Sequence, residues 1–337
     1  MKDYTPEYKS KLISADKAAQ LIKDNDVIEY GMFSTKPIDF DIALAQRTGE
    51  LKNVAVRGGP VVYPIPEIII QDPEQKSFQY FSWIYSLLDR QLAESGGLSC
   101  YNPLNYHEGT MMGYNRLDKK YNYPSRPMAN IMVTQTTPMD KFGCFNFGLS
   151  NCMTRAWAST ADIVIVEVNE NMPRCLGGHD ECFHINEVDY IIEGSNSEIF
   201  AYPPYSPPIP EDYPVEHKIA RLIADEIPDG ACIQLGIGAV PNLIGELLVD
   251  SDIKNLGIHT EMFCDSMVRM HEAGKISNIY KAKDRNKSTY SFCIGKQETY
   301  DWLNDDPLCA SCSIEYINNP QLIAANDNVV STTISWQ

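Results

Sequence analysis

Residues 215–242 read VEHKIARLIADEIPDGACIQLGIGAVPN. Val215, Ile219, Leu222 and Ile223 recur at i, i+4, i+7 and i+8, one face of a helix. Pro228-Asp229-Gly230 ends that helix in a polar turn. The short apolar run from Ala231 to Leu235 reads as a strand, and it leads directly into Gly236-Ile237-Gly238. A second helix is predicted over 240–249, with Pro241 in its first turn, where no amide hydrogen is needed. Helix, strand, glycine and helix in that order point to an α/β fold.

The same order occurs near the start of the chain. Residues 14–30, SADKAAQLIKDNDVIEY, predict a helix, a polar turn at Asp24-Asn25-Asp26 and a strand that meets Gly31. Residues 51–59 (LKNVAVRGG) also match residues 253–261 (IKNLGIHTE) at one constant offset. Two related halves follow, each an open α/β unit with a largely parallel sheet. Between them lies AYPPYSPPIPEDYPV, residues 201–215, whose six prolines exclude a helix interior or a central strand. The expected division is therefore a domain over 1–202, a proline-rich linker over 203–214 and a second domain over 215–337. Further strands are expected over 161–168 and 132–136. The first runs out into the polar loop 169–173 and the second into a turn at 138–143.

The repeat has one informative asymmetry. Glu261 falls where the first half has Gly59, so one half offers a carboxylate and the other bare backbone that could approach a ligand closely. Glu261 is expected where an apolar strand ends, near the Gly236–Gly238 turn. The amides at the N-terminus of the following helix could hold an anion. A strand–GxG–helix turn is also a common tight connection, and a glutamate at a strand end is commonly a solvated rim residue. The apolar flank Met262-Phe263-Cys264 argues for partial desolvation, which suits a carboxylate nucleophile.

Bulk properties remove several alternatives. The net charge of −17 argues against non-specific nucleic-acid binding. Apolar runs such as Ile163 to Val166 are too short to span a membrane, and Met1-Lys2-Asp3-Tyr4-Thr5 is no signal peptide. The ten scattered cysteines read as reduced, so a cytoplasmic location is expected. Cys175, His179, Cys182 and His184 could be taken for zinc ligands, but C-x3-H-x2-C-x-H is not a standard pattern, and no metal is expected. Cys309-x-x-Cys312 reads as structural. His107 and His259 are candidate bases. No G-x-S-x-G nucleophile elbow is present.

Residues 234–242 (QLGIGAVPN) and 256–262 (LGIHTEM) resemble the acetyl-CoA hydrolase/transferase family. So do residues 138–148 (PMDKFGCFNFG), 166–173 (VEVNENMP), 184–194 (HINEVDYIIEG) and 315–320 (EYINNP). The resemblance covers nearly the whole chain. The opening stretch Glu7-Tyr8-Lys9-Ser10-Lys11-Leu12 leans toward its butyryl-CoA:acetate branch. The resemblance implies that Glu261, in the H-(S/T)-E-M motif, is the nucleophile. It also implies that Gly238, Ala239, Val240, Pro241 and Asn242, in the G-A-x-P-(N/D) loop, contact coenzyme A. The implied activity is ping-pong transfer of CoA from butyryl-CoA to acetate through a glutamyl-CoA thioester. A coenzyme A thioester is then a substrate and no cofactor is permanently bound. The partners are acyl-CoA and acetate or another short carboxylate, and the assembly is a homo-oligomer.

A 4-hydroxybutyrate CoA-transferase or an acetyl-CoA hydrolase is the alternative on the same scaffold. The family continues well past the EYINNP region with a second glycine-rich CoA-binding motif. Here the last residues, Val330 to Gln337, do not resemble it. The chain therefore reads as C-terminally truncated or frame-shifted, its second domain as incomplete, and an inactive CoA-binding fragment is a further alternative.

Overall fold

The apolar run before Gly31 becomes the first strand, Val27–Tyr30, buried at every position. The structure is a computed structural model and describes residues 2–96, 99–110, 128–199 and 214–332. It separates into two compact units, one of Met1–Arg174 with Asp180–Phe200, the other of Cys175–His179 with Ala201–Gln337. The linker expected over 203–214 lies outside the described residues except for Pro214, which opens the helix Pro214–Ala224.

The strands of the first unit are β1 (Val27–Tyr30), β2 (Val54–Gly58), β3 (Phe78–Ser82), β4 (Ser99–Tyr101), β5 (Ile131–Thr136), β6 (Cys144–Asn146), β7 (Ile163–Val168), β8 (Cys182–His184) and β9 (Tyr190–Glu193). Seven of them form one sheet in the order β4-β3-β2-β1-β5-β7-β9. Every pairing in that sheet is parallel. Such a sheet buries both faces, which explains why these strands read as apolar runs instead of alternating ones. Ile28, Tyr30, Val54, Val56 and Val133 lie in its core with Phe40 and Leu44 of the helix Asp39–Ala45. β6 and β8 form a separate antiparallel ribbon.

The helix Asp39–Ala45 has no cap from its own N-cap residue, Ile38. Glu167, far away on β7, supplies the acceptors. Its carboxylate takes the amides of Ile38 and Phe40, each at 2.8 Å, and the side-chain amide of Gln135 at 2.9 Å. Glu167 is thus a buried carboxylate with three donors, and it closes a helix end that local sequence leaves open.

The second unit contains β10 (Cys232–Leu235), β11 (Gly257–Phe263), β12 (Ser288–Cys293), β13 (Cys309–Ser311) and β14 (Val329–Thr332). They form a five-stranded sheet in the order β13-β12-β11-β10-β14, again with every pairing parallel. The order β4-β3-β2-β1-β5 in the first unit is the same arrangement, so the repeat read along the chain is a repeat of topology. In each unit the chain steps outward on one side of its first strand and later returns to the other side. The loop after that first strand therefore leaves from a switch point, where open parallel sheets place ligands. Among the described residues no helix is long and apolar enough to cross a membrane.

Candidate active site

β11 carries the candidate nucleophile. Side chains alternate along it, so His259, Glu261 and Phe263 share one face, and Ile258, Thr260 and Met262 the other. Glu261 is the fifth of its seven residues, not its end. The strand runs on because Met262 and Phe263 still pair with Phe292 and Cys293 of β12. The carboxylate therefore rises from within the sheet and is set by strand geometry on both sides.

On the β10 side the pairing is shorter. Cys232 faces Gly257 and Ile233 faces Ile258. Continuing that register brings Gly236, the first residue past β10, level with Glu261. Gly238 is the N-cap of the helix Ala239–Asp250, with φ 136° and no side-chain cap. Only glycine takes that φ without strain. The Asn242 amide is taken by the Gly238 carbonyl at 3.2 Å. Pro241 has no amide hydrogen, and the amides of the first helical turn have no acceptor within the helix itself. Such a terminus favours an anion.

Glu261 itself is part-buried. Asn318, just past the short helix Ile314–Ile317, donates its side-chain amide to Glu261 Oε2 at 2.7 Å. Loss of water raises the Glu261 pKa above the ordinary carboxylate value, and the Asn318 bond offsets part of that rise. Among the described residues no charged side chain contributes to the shift. A carboxylate partly stripped of water and held by one neutral donor is a stronger nucleophile than a solvated one. On β12, the register on either side sets Ser291 beside Glu261, and its buried hydroxyl has no hydrogen-bond partner among the described residues.

Asn318 was outside the candidates drawn from spacing, being 57 residues from Glu261. Its signal was the EYINNP stretch, which carried a family likeness but no stated role. The first unit holds a second cluster that spacing missed. Trp83 Nε1 donates to Glu29 Oε1 at 2.5 Å, and Arg57 Nη1 stands 3.9 Å from Glu29 Oε2. Burial pushes the Glu29 carboxyl up to about 7 against the pull of Arg57. The available signal was a glutamate inside the apolar strand VIEY.

The remaining candidates are placed as follows. Gly59 does not offer open backbone on its side-chain face: a Cβ there would meet the Trp83 amide nitrogen at 2.8 Å. The glycine serves close packing between strands, with φ 145°. His107 is exposed in the short helix Tyr106–Glu108. Cys175 is buried, its thiol pushed up to about 12 by desolvation, and His184 Nδ1 lies 2.6 Å from Asn186 Oδ1. Among the described residues no three His, Cys, Asp or Glu side chains group to hold a metal ion. Cys309 and Cys312 are buried and not disulfide-bonded. His259 is buried on β11, on the same face as Glu261.

Comparison with known proteins gives these features a setting. The profile described as the acetyl-CoA hydrolase/transferase N-terminal domain matches residues 1–201. The butyryl-CoA:acetate CoA-transferase of Anaerostipes caccae is 42% identical over 97% of this chain and 70% of its own length. A probable butyrate:acetyl-CoA coenzyme A-transferase of Syntrophomonas wolfei is 43% identical over 96% of this chain and 69% of its own length. Among solved structures, RipA from Yersinia pestis superposes with a TM-score of 0.85 at 31% identity, over 98% of this chain and 74% of that one. The 4-hydroxybutyrate CoA-transferase of Porphyromonas gingivalis gives a TM-score of 0.77 at 27% identity, over 98% and 74%. The class is that of α/β enzymes of the CoA-transferase type. Within it, the chain belongs to the acetyl-CoA hydrolase/transferase family.

Proposed function

We propose that this protein transfers coenzyme A from butyryl-CoA to acetate, giving butyrate and acetyl-CoA, with Glu261 as the covalent carrier. The observation that carries the reading is the Glu261 carboxylate: part-buried within β11, partly desolvated, and held by the Asn318 amide. The names of the relatives from Anaerostipes caccae and Syntrophomonas wolfei supply the acyl group and the acceptor.

In the proposed cycle a Glu261 oxygen attacks the thioester carbonyl carbon. The C–S bond breaks and CoA leaves as thiolate, giving a mixed anhydride. The thiolate attacks Cδ of Glu261, the C–O bond to the acyl group breaks, and butyrate departs from a glutamyl-CoA thioester. Acetate attacks that thioester and the same steps run in reverse, ending with acetyl-CoA and a free Glu261 carboxylate. An anhydride is high in energy, so amide donors at the helix start, together with Asn318, stabilise the developing oxyanions. Gly238, Ala239, Val240, Pro241 and Asn242 contact coenzyme A, whose remote portions supply binding energy used at the reacting carbon. We infer also that the domains divide at the proline-rich 203–214 stretch.

Incubation with butyryl-CoA, borohydride reduction and peptide mass spectrometry test the assignment. Glu261 should be recovered as the reduced alcohol. An unmodified Glu261 in folded protein that binds CoA would sink it.

A further inference from the structure

We propose that His259 is a positioning residue for the reaction: its Nε2–H holds the Ile317 carbonyl and so keeps the next residue, Asn318, aimed at Glu261. The inference rests on Glu261 as the reacting carboxylate. It begins with four side chains in a row, of which Lys281, Thr289 and His259 are buried and Asn318 is half-buried. His259 Nε2 lies 2.7 Å from the Ile317 carbonyl oxygen, and His259 Nδ1 lies 3.1 Å from Thr289 Oγ1. Lys281 Nζ lies 3.0 Å from the same Thr289 oxygen. Asn318 Nδ2 completes the row on Glu261 Oε2 at 2.7 Å.

The directions of these bonds follow from elementary donor and acceptor roles. A carbonyl can only accept, so the His259 proton sits on Nε2. The Lys281 ammonium can only donate, and it spends its three hydrogens on the Ile258 carbonyl, the Lys287 carbonyl and Thr289 Oγ1. Thr289 Oγ1 therefore accepts from Lys281 and must send its own hydrogen elsewhere. The Ile258 carbonyl is 3.4 Å from it and already takes a Lys281 hydrogen; His259 Nδ1 is nearer. Nε2–H is fixed by the carbonyl it faces, and a Thr289 hydrogen sent to Nδ1, the nearer acceptor, keeps the imidazole neutral with Nδ1 accepting. Burial, which depresses the His259 pKa, agrees with a neutral ring.

This chain of donors ends where it matters. The helix Ile314–Ile317 has four residues, too few to hold its own shape. Ile317 is its last residue, and the carbonyl of a last residue has no partner within the helix. His259 supplies that partner from the strand that carries Glu261, two residues away on the same face. Tyr316 Oη donates to Asp284 Oδ2 at 2.8 Å and secures the other side of the turn. A leucine at 259 could fill the space but would leave the Ile317 carbonyl buried without a donor.

The test uses the full chain and its His259→Ala, His259→Gln and Thr289→Val variants. Circular dichroism and thermal melting check that each is folded. 15N-histidine NMR should show the His259 proton on Nε2 in the wild type; a proton on Nδ1 overturns the inference. His259→Ala should lower kcat for CoA transfer about 10–100-fold, as loss of an orienting partner typically does. KM for butyryl-CoA should move by less than about threefold, because the lost contact acts in the transition state. His259→Gln should recover about tenfold, since its amide can still donate to Ile317. Thr289→Val keeps the ring and should cost a few-fold. Wild-type kcat in His259→Ala, or no gain from Gln in folded protein, overturns the positioning role alone if borohydride still traps the thioester on Glu261. Failure to trap it in the wild type overturns the nucleophile assignment as well.

Discussion

At the scale of single residues, the chemistry rests on how one carboxylate is stripped of water and partly compensated. Desolvation raises the Glu261 pKa, and the Asn318 amide lowers it. Only the ionised carboxylate attacks, so kcat/KM should fall as pH drops through a value above the ordinary glutamate pKa of about 4.3. Replacing Asn318 by Leu removes the lowering contribution. The acid limb of the pH–rate profile should therefore move to higher pH, and kcat should fall about 10–100-fold. A limb that stays put or moves to lower pH would show that Asn318 does not govern this titration. Glu261 was legible from the sequence because an asymmetry in a repeat exposes it. Asn318 was not, because nothing local ties an asparagine after a short helix to a strand 57 residues earlier.

At the scale of elements, helix and strand periods were readable and helix ends were only partly so. The predicted strand over 231–235 is observed at Cys232–Leu235, and the predicted helix over 240–249 at Ala239–Asp250. Ser14 caps the helix Ala15–Ala19 by accepting from the Lys17 amide, a local device visible in sequence. Glu167 caps Asp39–Ala45 across 127 to 129 residues, which no local pattern reveals. Glu167→Ala would leave the Ile38 and Phe40 amides without that acceptor. It should destabilise the protein by about 3 kcal/mol, read as a lower urea midpoint at unchanged m-value. A loss under about 1 kcal/mol would mean that water or another acceptor replaces the carboxylate.

At the scale of the whole molecule, five strands of the first parallel sheet repeat the order of the second, and the site described lies wholly in the second unit. A transferase must keep water from the glutamyl thioester, whereas a hydrolase admits it. CoA release from butyryl-CoA should therefore depend on added acetate and fall at least about 100-fold without it. Release that is indifferent to acetate would favour hydrolysis. One methylene is worth only about 1–3 kcal/mol of discrimination, so an acyl-CoA panel with acetate as acceptor should show graded rates across neighbouring chain lengths.

The sequence by itself determined the α/β class, the parallel sheets, the repeated halves, the glycine loop and the suspicion attached to Glu261. Periodicity, turn chemistry and internal repetition are properties of neighbouring or regularly spaced residues, and they survive in one dimension. Only the tertiary structure decided that Glu261 stands inside its strand, that Gly59 packs against Trp83, that Asn318 reaches the carboxylate, and that Lys281, Thr289 and His259 link up behind the turn that carries it. Those outcomes depend on strand register and on where distant turns return. A hydrogen bond between residues 30 or 57 positions apart forms only when the packed sheet brings its two ends to one place.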